Sequence, residues 1–139
     1  MKSLTRALFT VACACLMLAQ SGKTATESFA VTGRIVGASD KNTVYVTLWQ
    51  ADGFLDHPVQ RVIIAPGKPL VFKFEVAKGR WAISAFEDRN GNGVLDIGAL
   101  GPKEPNGFWR SFDGRRKPKF DDVASRIDKD ISDADIVLK

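Results

Sequence analysis

Three oxygen-bearing side chains, Asp88, Asn90 and Asn92, stand at alternate positions in the stretch EDRNGNGVLD, and a fourth, Asp96, follows four residues later. Calcium is a hard cation that takes six to eight oxygen ligands at about 2.4 Å. A coiled loop can aim positions 1, 3 and 5 at one centre, offer the backbone carbonyl of position 7, and bring in position 9 directly or through water. Gly93, at position 6, permits the sharp bend that a β-carbon would resist. The pattern therefore predicts a calcium site made by Asp88, Asn90, Asn92, Val94 and Asp96. It matches the first nine positions of an EF-hand loop, but the twelfth would be Ala99, which cannot ligate, and no flanking helices are read. A compensating carboxylate is expected from Glu87, Glu104, Asp113, Asp121 or Asp122. With two carboxylates and two neutral amides, the affinity expected is weak, about 10⁻⁴ to 10⁻³ M. The same letters also suit a metal-free turn. Asn-Gly is the strongest short hairpin signal, and Asx side chains bond their own backbone. A plain turn needs one Asn-Gly, however, and here two stand in tandem with four oxygen donors.

Other chemistry finds less support. His57 is the lone histidine and precedes Pro58 in a loop, so a three-histidine zinc site cannot be built and any histidine-dependent triad would have to use this residue. No G-x-S-x-G elbow, G-x-x-x-x-G-K loop or G-x-G-x-x-G loop occurs. The reading is of a non-enzymatic protein. A second candidate surface is the cluster Arg110, Arg115, Arg116, Lys117 and Lys119, threaded with Trp109, Phe112 and Phe120. Charge and stacking there could hold anionic glycans, lipid headgroups or nucleic acid. The competing function is thus a carbohydrate- or cell-envelope-binding module using Trp109, Arg110, Arg115 and Arg116. A cell-envelope glycan or protein is the expected partner class. A net charge of +4 is too mild to point to nucleic acid, and no nucleic-acid partner is expected.

These residues must be positioned by strands, because the dominant period from Ser28 onward is two. Phe29, Val31, Gly33 and Ile35 alternate with polar or small residues, as do Val44, Val46 and Leu48. With the turn-rich Ser39-Asp40-Lys41-Asn42 between them, these two runs read as an antiparallel hairpin. Val59–Ala65 and Leu70–Val76 read as a second hairpin about Pro66-Gly67-Lys68-Pro69. Arg80–Phe86 is apolar on both faces and reads as a central strand that runs into the candidate loop. Residues 97–121 read as one long irregular segment broken by Gly and Pro, with Leu100, Phe108, Trp109, Phe112 and Phe120 to pin it down. Val123–Ile127 and Ile131–Leu138 read as two final strands, and no segment reads as an amphipathic helix. The sum is an all-β fold, a seven-stranded antiparallel β-sandwich of the immunoglobulin-like kind with one long irregular loop, a small barrel being the alternative.

The N-terminus has a different character. Lys2 and Arg6 precede an apolar run from Ala7 to Ala19, the pattern of a secretory signal peptide. Cleavage is expected before Gly22, so that residues 1–21 are the signal peptide and 22–139 a single domain. The apolar run is shorter than the roughly 20 residues a bilayer span needs, and no transmembrane segment is expected after cleavage. Both cysteines, Cys13 and Cys15, lie in this leader, so the remainder holds no thiol for a disulfide or a thiolate metal site. The expected location is periplasmic or secreted.

The stretch GRWAISAFEDRNGNGVLDIGALGPKEPNGFWRS, followed by PKFDDVA, resembles the DUF2141 family of secreted bacterial proteins, across about residues 29–138. The resemblance implies an exported prealbumin-like β-sandwich with no established role. It places the family's shared positions on Asp88, Asn90, Asn92, Gly93 and Asp96, then on Glu104, Gly107 and Phe108, then on Phe120 and Asp122. The chain departs from the family at Glu87, where histidine is common, and in the basic, aromatic run WRSFDGRRK.

Overall fold

A computed structural model describes residue 22 and residues 25–139, so the expected signal peptide lies outside the described residues. The elements in chain order are β1 (Ser28–Val36), β2 (Thr43–Trp49), β3 (Gln60–Ile64), β4 (Val71–Ala77) and β5 (Gly79–Asp88). They are followed by β6 (Ile97–Gly98), β7 (Gly101–Pro102), β8 (Asn106–Phe108), a one-turn helix α1 (Phe120–Val123), β9 (Ser125–Ile127) and β10 (Ile136–Val137). One main sheet has the order β10-β1-β4 and the other β3-β2-β5-β8, with β9 also paired to β5, and β6 and β7 form a small two-stranded sheet of their own. The architecture is all-β and sandwich-like.

Alternation decides which side chains enter the core. In β4, Phe72, Phe74 and Val76 are buried while Val71, Lys73 and Glu75 are exposed. They face Val44, Val46 and Leu48 of β2 and Trp81, Ile83 and Ala85 of β5, and together with Val31, Ile35 and Ile136 these side chains form the main core. β5 is nearly all buried, because both of its faces are covered, and it is central as the sequence suggests. Its outer face carries Ala82, Ser84, Phe86 and Asp88, and a second apolar cluster forms there. Trp49, Ala82, Val123 and Ala124 are its buried members, with Phe54, Phe108, Phe112 and Phe120 packed around them.

Both expected hairpins are corrected. β1 pairs antiparallel with β4, as in Val31↔Phe74, and not with β2. β2 pairs with β3 and β5. The connections at 37–42 and 65–70 are arches that carry the chain between the sheets, and they touch where Gly67 N–H donates to the Asp40 carbonyl at 2.8 Å. Alternation fixes the buried face of a strand but not its neighbour, and six residues are long for a tight hairpin.

The ends of the chain also depart from expectation. Residues 97–121 contain β6, β7 and β8 and so are not wholly irregular. Phe120–Val123 is helical, where a strand was expected to begin at Val123. The 131–138 run follows β1 in parallel, first through the bridge Val31↔Ile131 and then through β10. Its ladder is broken because aspartate side chains take two of the β1 N–H groups. Ala30 N–H donates to Asp130 Oδ1 and Arg34 N–H to Asp135 Oδ1, each at 2.9 Å.

Candidate metal-binding loop

Glu87 and Asp88 end β5 as chain neighbours on opposite faces, as the strand period of two requires. Asp88 opens the loop. Its Oδ1 accepts the Gly91 N–H at 2.9 Å and its Oδ2 the Gly93 N–H at 2.8 Å. Asn90 Oδ1 accepts the Asn92 N–H at 3.2 Å, and Asn92 Oδ1 accepts the Val94 N–H at 3.0 Å. These successive Asx turns coil the backbone. Gly91 and Gly93 stand at φ of 74° and 76°, a left-handed conformation that glycine adopts at little cost.

The coil brings Asn90, Asn92 and Asp96 together, while both Asp88 oxygens are turned to the backbone. The Asp96 carboxylate accepts from the side-chain amides of both Asn90 and Asn92, the latter at 3.1 Å. An amide carbonyl or carboxylate oxygen has a second acceptor position beyond the one a backbone N–H occupies. Val94, expected to offer its carbonyl oxygen, donates its N–H to Asn92 Oδ1 and leaves its side chain exposed. Among the described residues no three His, Cys, Asp or Glu side chains gather as a metal-holding group. The donor set here is instead two carboxylates and two amides, which suits a hard cation.

Of the five carboxylates considered as a complement, Glu104 is the one that bonds the backbone of the loop. It is buried, and its Oε1 accepts the Arg89 N–H at 2.8 Å while its Oε2 accepts the Asp96 N–H at 3.2 Å. One side chain thus ties the two ends of the coil together. Glu104 is held in turn by Lys103 N–H donating to the Asp96 carbonyl and by Glu87 N–H donating to the Pro105 carbonyl. The other acids are engaged elsewhere. Asp121 pairs with Arg80, Asp122 with Arg116 and Asp113 with Lys139.

Glu87 is fully buried at the end of the main core. Its Oε1 accepts from the Ser39 hydroxyl and from the Asn42 amide, the latter at 2.8 Å. Its Oε2 has no hydrogen-bond partner among the described residues, and the Arg89 guanidinium stands 3.7 Å away. Burial pushes its pKa up, but the hydrogen bonds from Asn42 and Ser39 and the Arg89 charge outweigh burial and hold it below the usual glutamate range. The partners Ser39 and Asn42 were not foreseen, because only the pairing of β2 with β5 brings them alongside.

The basic and aromatic candidates part company. The Trp109 ring packs against the main core and its backbone N–H donates to the Ile83 carbonyl at 2.9 Å. Arg110 donates to the Ala124 carbonyl at 3.2 Å. Arg115 and Arg116 lie instead on the 114–118 segment above the outer face, where Arg116 also sits over Phe112 at 5.2 Å from the ring centre.

The model of the family DUF2141, described as an uncharacterized protein conserved in bacteria, matches residues 35–134 of this chain. No curated protein and no solved structure gives a match to it.

Proposed function

The chain belongs to the DUF2141 family, and we propose that it is an exported, non-enzymatic β-sandwich module whose loop Asp88–Asp96 binds calcium and so fixes residues 97–121 over the outer face of the sheet. The observation that carries the reading is the convergence of Asn90, Asn92 and Asp96 on one another while the buried Glu104 clamps the two ends of the coil. The groups that meet Asp96 are the amide N–H donors of Asn90 and Asn92, so a cation there would displace them and be met instead by Asn90 Oδ1 and Asn92 Oδ1, each of which keeps a second acceptor position beyond its Asx turn. Export to the periplasm or beyond rests on the leader-like residues 1–21. Calcium in such a compartment reaches the range that a weak site needs.

Tyr45 provides the readout. Its hydroxyl lies 3.5 Å from where a β-carbon on Gly93 would stand, and it is the chain's one tyrosine. Terbium at the loop is expected to gain luminescence on excitation of this ring, and calcium should displace it. Calcium should also raise the melting temperature, since a ligand at ten times its Kd stabilises the folded state by about 1.4 kcal/mol. The absence of both a terbium signal and a thermal shift at 10 mM calcium, a concentration of about ten times the expected Kd, would sink the proposal.

A further inference from the structure

The outer face of the β3-β2-β5-β8 sheet is the floor of a cleft of about 760 Å³. Cross-strand register builds that floor in rows. Arg61, Thr47, Ser84 and Phe108 stand side by side on the four strands, with Phe86 in the next row. Trp49 lies at one end, its indole N–H fixed by the Ser84 hydroxyl at 2.8 Å. One wall is the 94–102 segment, which presents Val94, Ile97 and Leu100 to the opening. Leu100 is 104% exposed, and these three are among the few large apolar side chains the described residues leave in solvent. Isolated exposed apolar residues are ordinary, but several on one side of a concave surface mark a binding site.

The charged groups of the cleft share one sign. Arg61, Arg115, Arg116 and Lys117 line it, and no acidic side chain among the described residues does. Arg116 is neutralised by Asp122, which leaves the others to set the local field. Arg61 is held in place, with its Nε donating to Thr47 Oγ1 at 3.3 Å and its guanidinium 5.6 Å from the centre of the Tyr45 ring. That single bond leaves the terminal fork of the guanidinium for an oxyanion, and a planar fork matches a carboxylate in bidentate fashion. The cleft volume lies within the roughly 300–1,000 Å³ of small-molecule sites.

We propose that this cleft binds an amphiphilic carboxylate, with a hydrocarbon body lying between the half-buried Phe108 and the exposed Val94, Ile97 and Leu100 wall and the head group taken by Arg61. The charge complementarity and the exposed apolar wall carry the inference, which stands whether or not the adjacent loop holds calcium.

The test is calorimetric titration of the full chain with dodecanoate and with dodecyltrimethylammonium, which has the same tail and the opposite charge. Dodecanoate is expected to bind saturably at one site, about ten-fold more tightly than the cation, as one charge-assisted contact implies. Arg61→Gln and, separately, Leu100→Asp should each weaken dodecanoate by about the same factor. Leu100 makes no buried contact, so its variant keeps the test valid if replacing Arg61 disturbs the sheet. Equal binding of the two amphiphiles, affinities unmoved by both variants, or no saturation by 1 mM dodecanoate, taken as about the weakest useful affinity, would each overturn the proposal.

Discussion

Asp96 is gripped from both sides of its peptide unit by one short segment: its N–H donates to Glu104 Oε2 at 3.2 Å, and its carbonyl accepts the Lys103 N–H at 2.8 Å. Glu104 reaches the far end of the coil as well, at Arg89. Replacing it with alanine strands two backbone donors in a partly buried place. A loss of about 1–3 kcal/mol is expected, together with several-fold weaker calcium binding. Thermal melting with and without calcium measures both effects. An unchanged melting temperature and an unchanged calcium shift would contradict the clamp.

Asp88 and Asp96 have separable roles. Asp88→Asn keeps an oxygen that can accept from the Gly91 or Gly93 N–H, so the coil should survive while calcium affinity falls. Asp96→Asn should abolish terbium luminescence with a smaller change in the melting temperature of the metal-free protein. A luminescence titration alongside a melt distinguishes lost ligation from lost folding.

The C-terminal segment is a seam between the two sheets, and two glycines let it close. Beyond the pairing of β10 with β1, Lys139 and Asn106 exchange backbone hydrogen bonds at 3.1 and 3.2 Å. A β-carbon on Gly33 would come within 2.2 Å of the Ala134 carbonyl oxygen, and one on Gly107 within 2.2 Å of the Val137 carbonyl oxygen. Neither contact can be relieved by turning a side chain. Gly33→Ala and Gly107→Ala are each expected to cost about 1–3 kcal/mol. In a domain of this size that is a fall in melting temperature of several degrees, about 4 °C per kcal/mol.

Glu87 depends on residues far away in the chain. Asn42→Ala removes one of the two donors to its buried Oε1, and the carboxylate must then remain charged with less support. Destabilisation of about 1–3 kcal/mol is expected, read by urea unfolding. Asn42→Asp should be worse, because it sets a like charge against Glu87.

Stability should weaken in acid, and the sign follows from two surface carboxylates. The side-chain hydrogen bond from Arg34 and its backbone N–H hold Asp135 below the usual aspartate range. Asp122 is lowered in the same way by Arg116 and by the Lys119 N–H. Because their folded values are depressed, the stabilisation is fully present above the unfolded value of about 3.9 and is lost as pH falls through the folded value. Melting temperature is therefore expected to hold from neutrality to about pH 5 and to fall below about pH 4. Asp135→Asn should lower it at neutral pH and shrink the acid-induced fall. A melt that rose on acidification below pH 4 would contradict these assignments.

Local chemistry was legible in the chain itself. The alternation VFKFEVA states which side of β4 is buried. The doubly apolar stretch at 81–86 announces a central strand. The spacing Asp88, Asn90, Asn92 with Gly91 and Gly93 specifies a coiled loop, because side-chain oxygens two residues apart can bond their own backbone and glycine tolerates the bend. These are short-range facts, and the residues that cause them lie within a few positions of one another.

Tertiary structure alone decided the partners. An alternating strand is equally content beside β2 or β4, so the arches at 37–42 and 65–70 could not be told from hairpins until both sheets had formed. Among five possible carboxylates, the choice of Glu104 as the clamp depends on the route taken by residues 97–105. The row Arg61–Thr47–Ser84–Phe108 likewise draws one residue from each of four strands, and only cross-strand register sets them side by side. The physical reason is range. Period, turn and chelate geometry are local properties of the backbone, whereas a clamp or a cleft floor exists only when segments tens of residues apart share a packed surface.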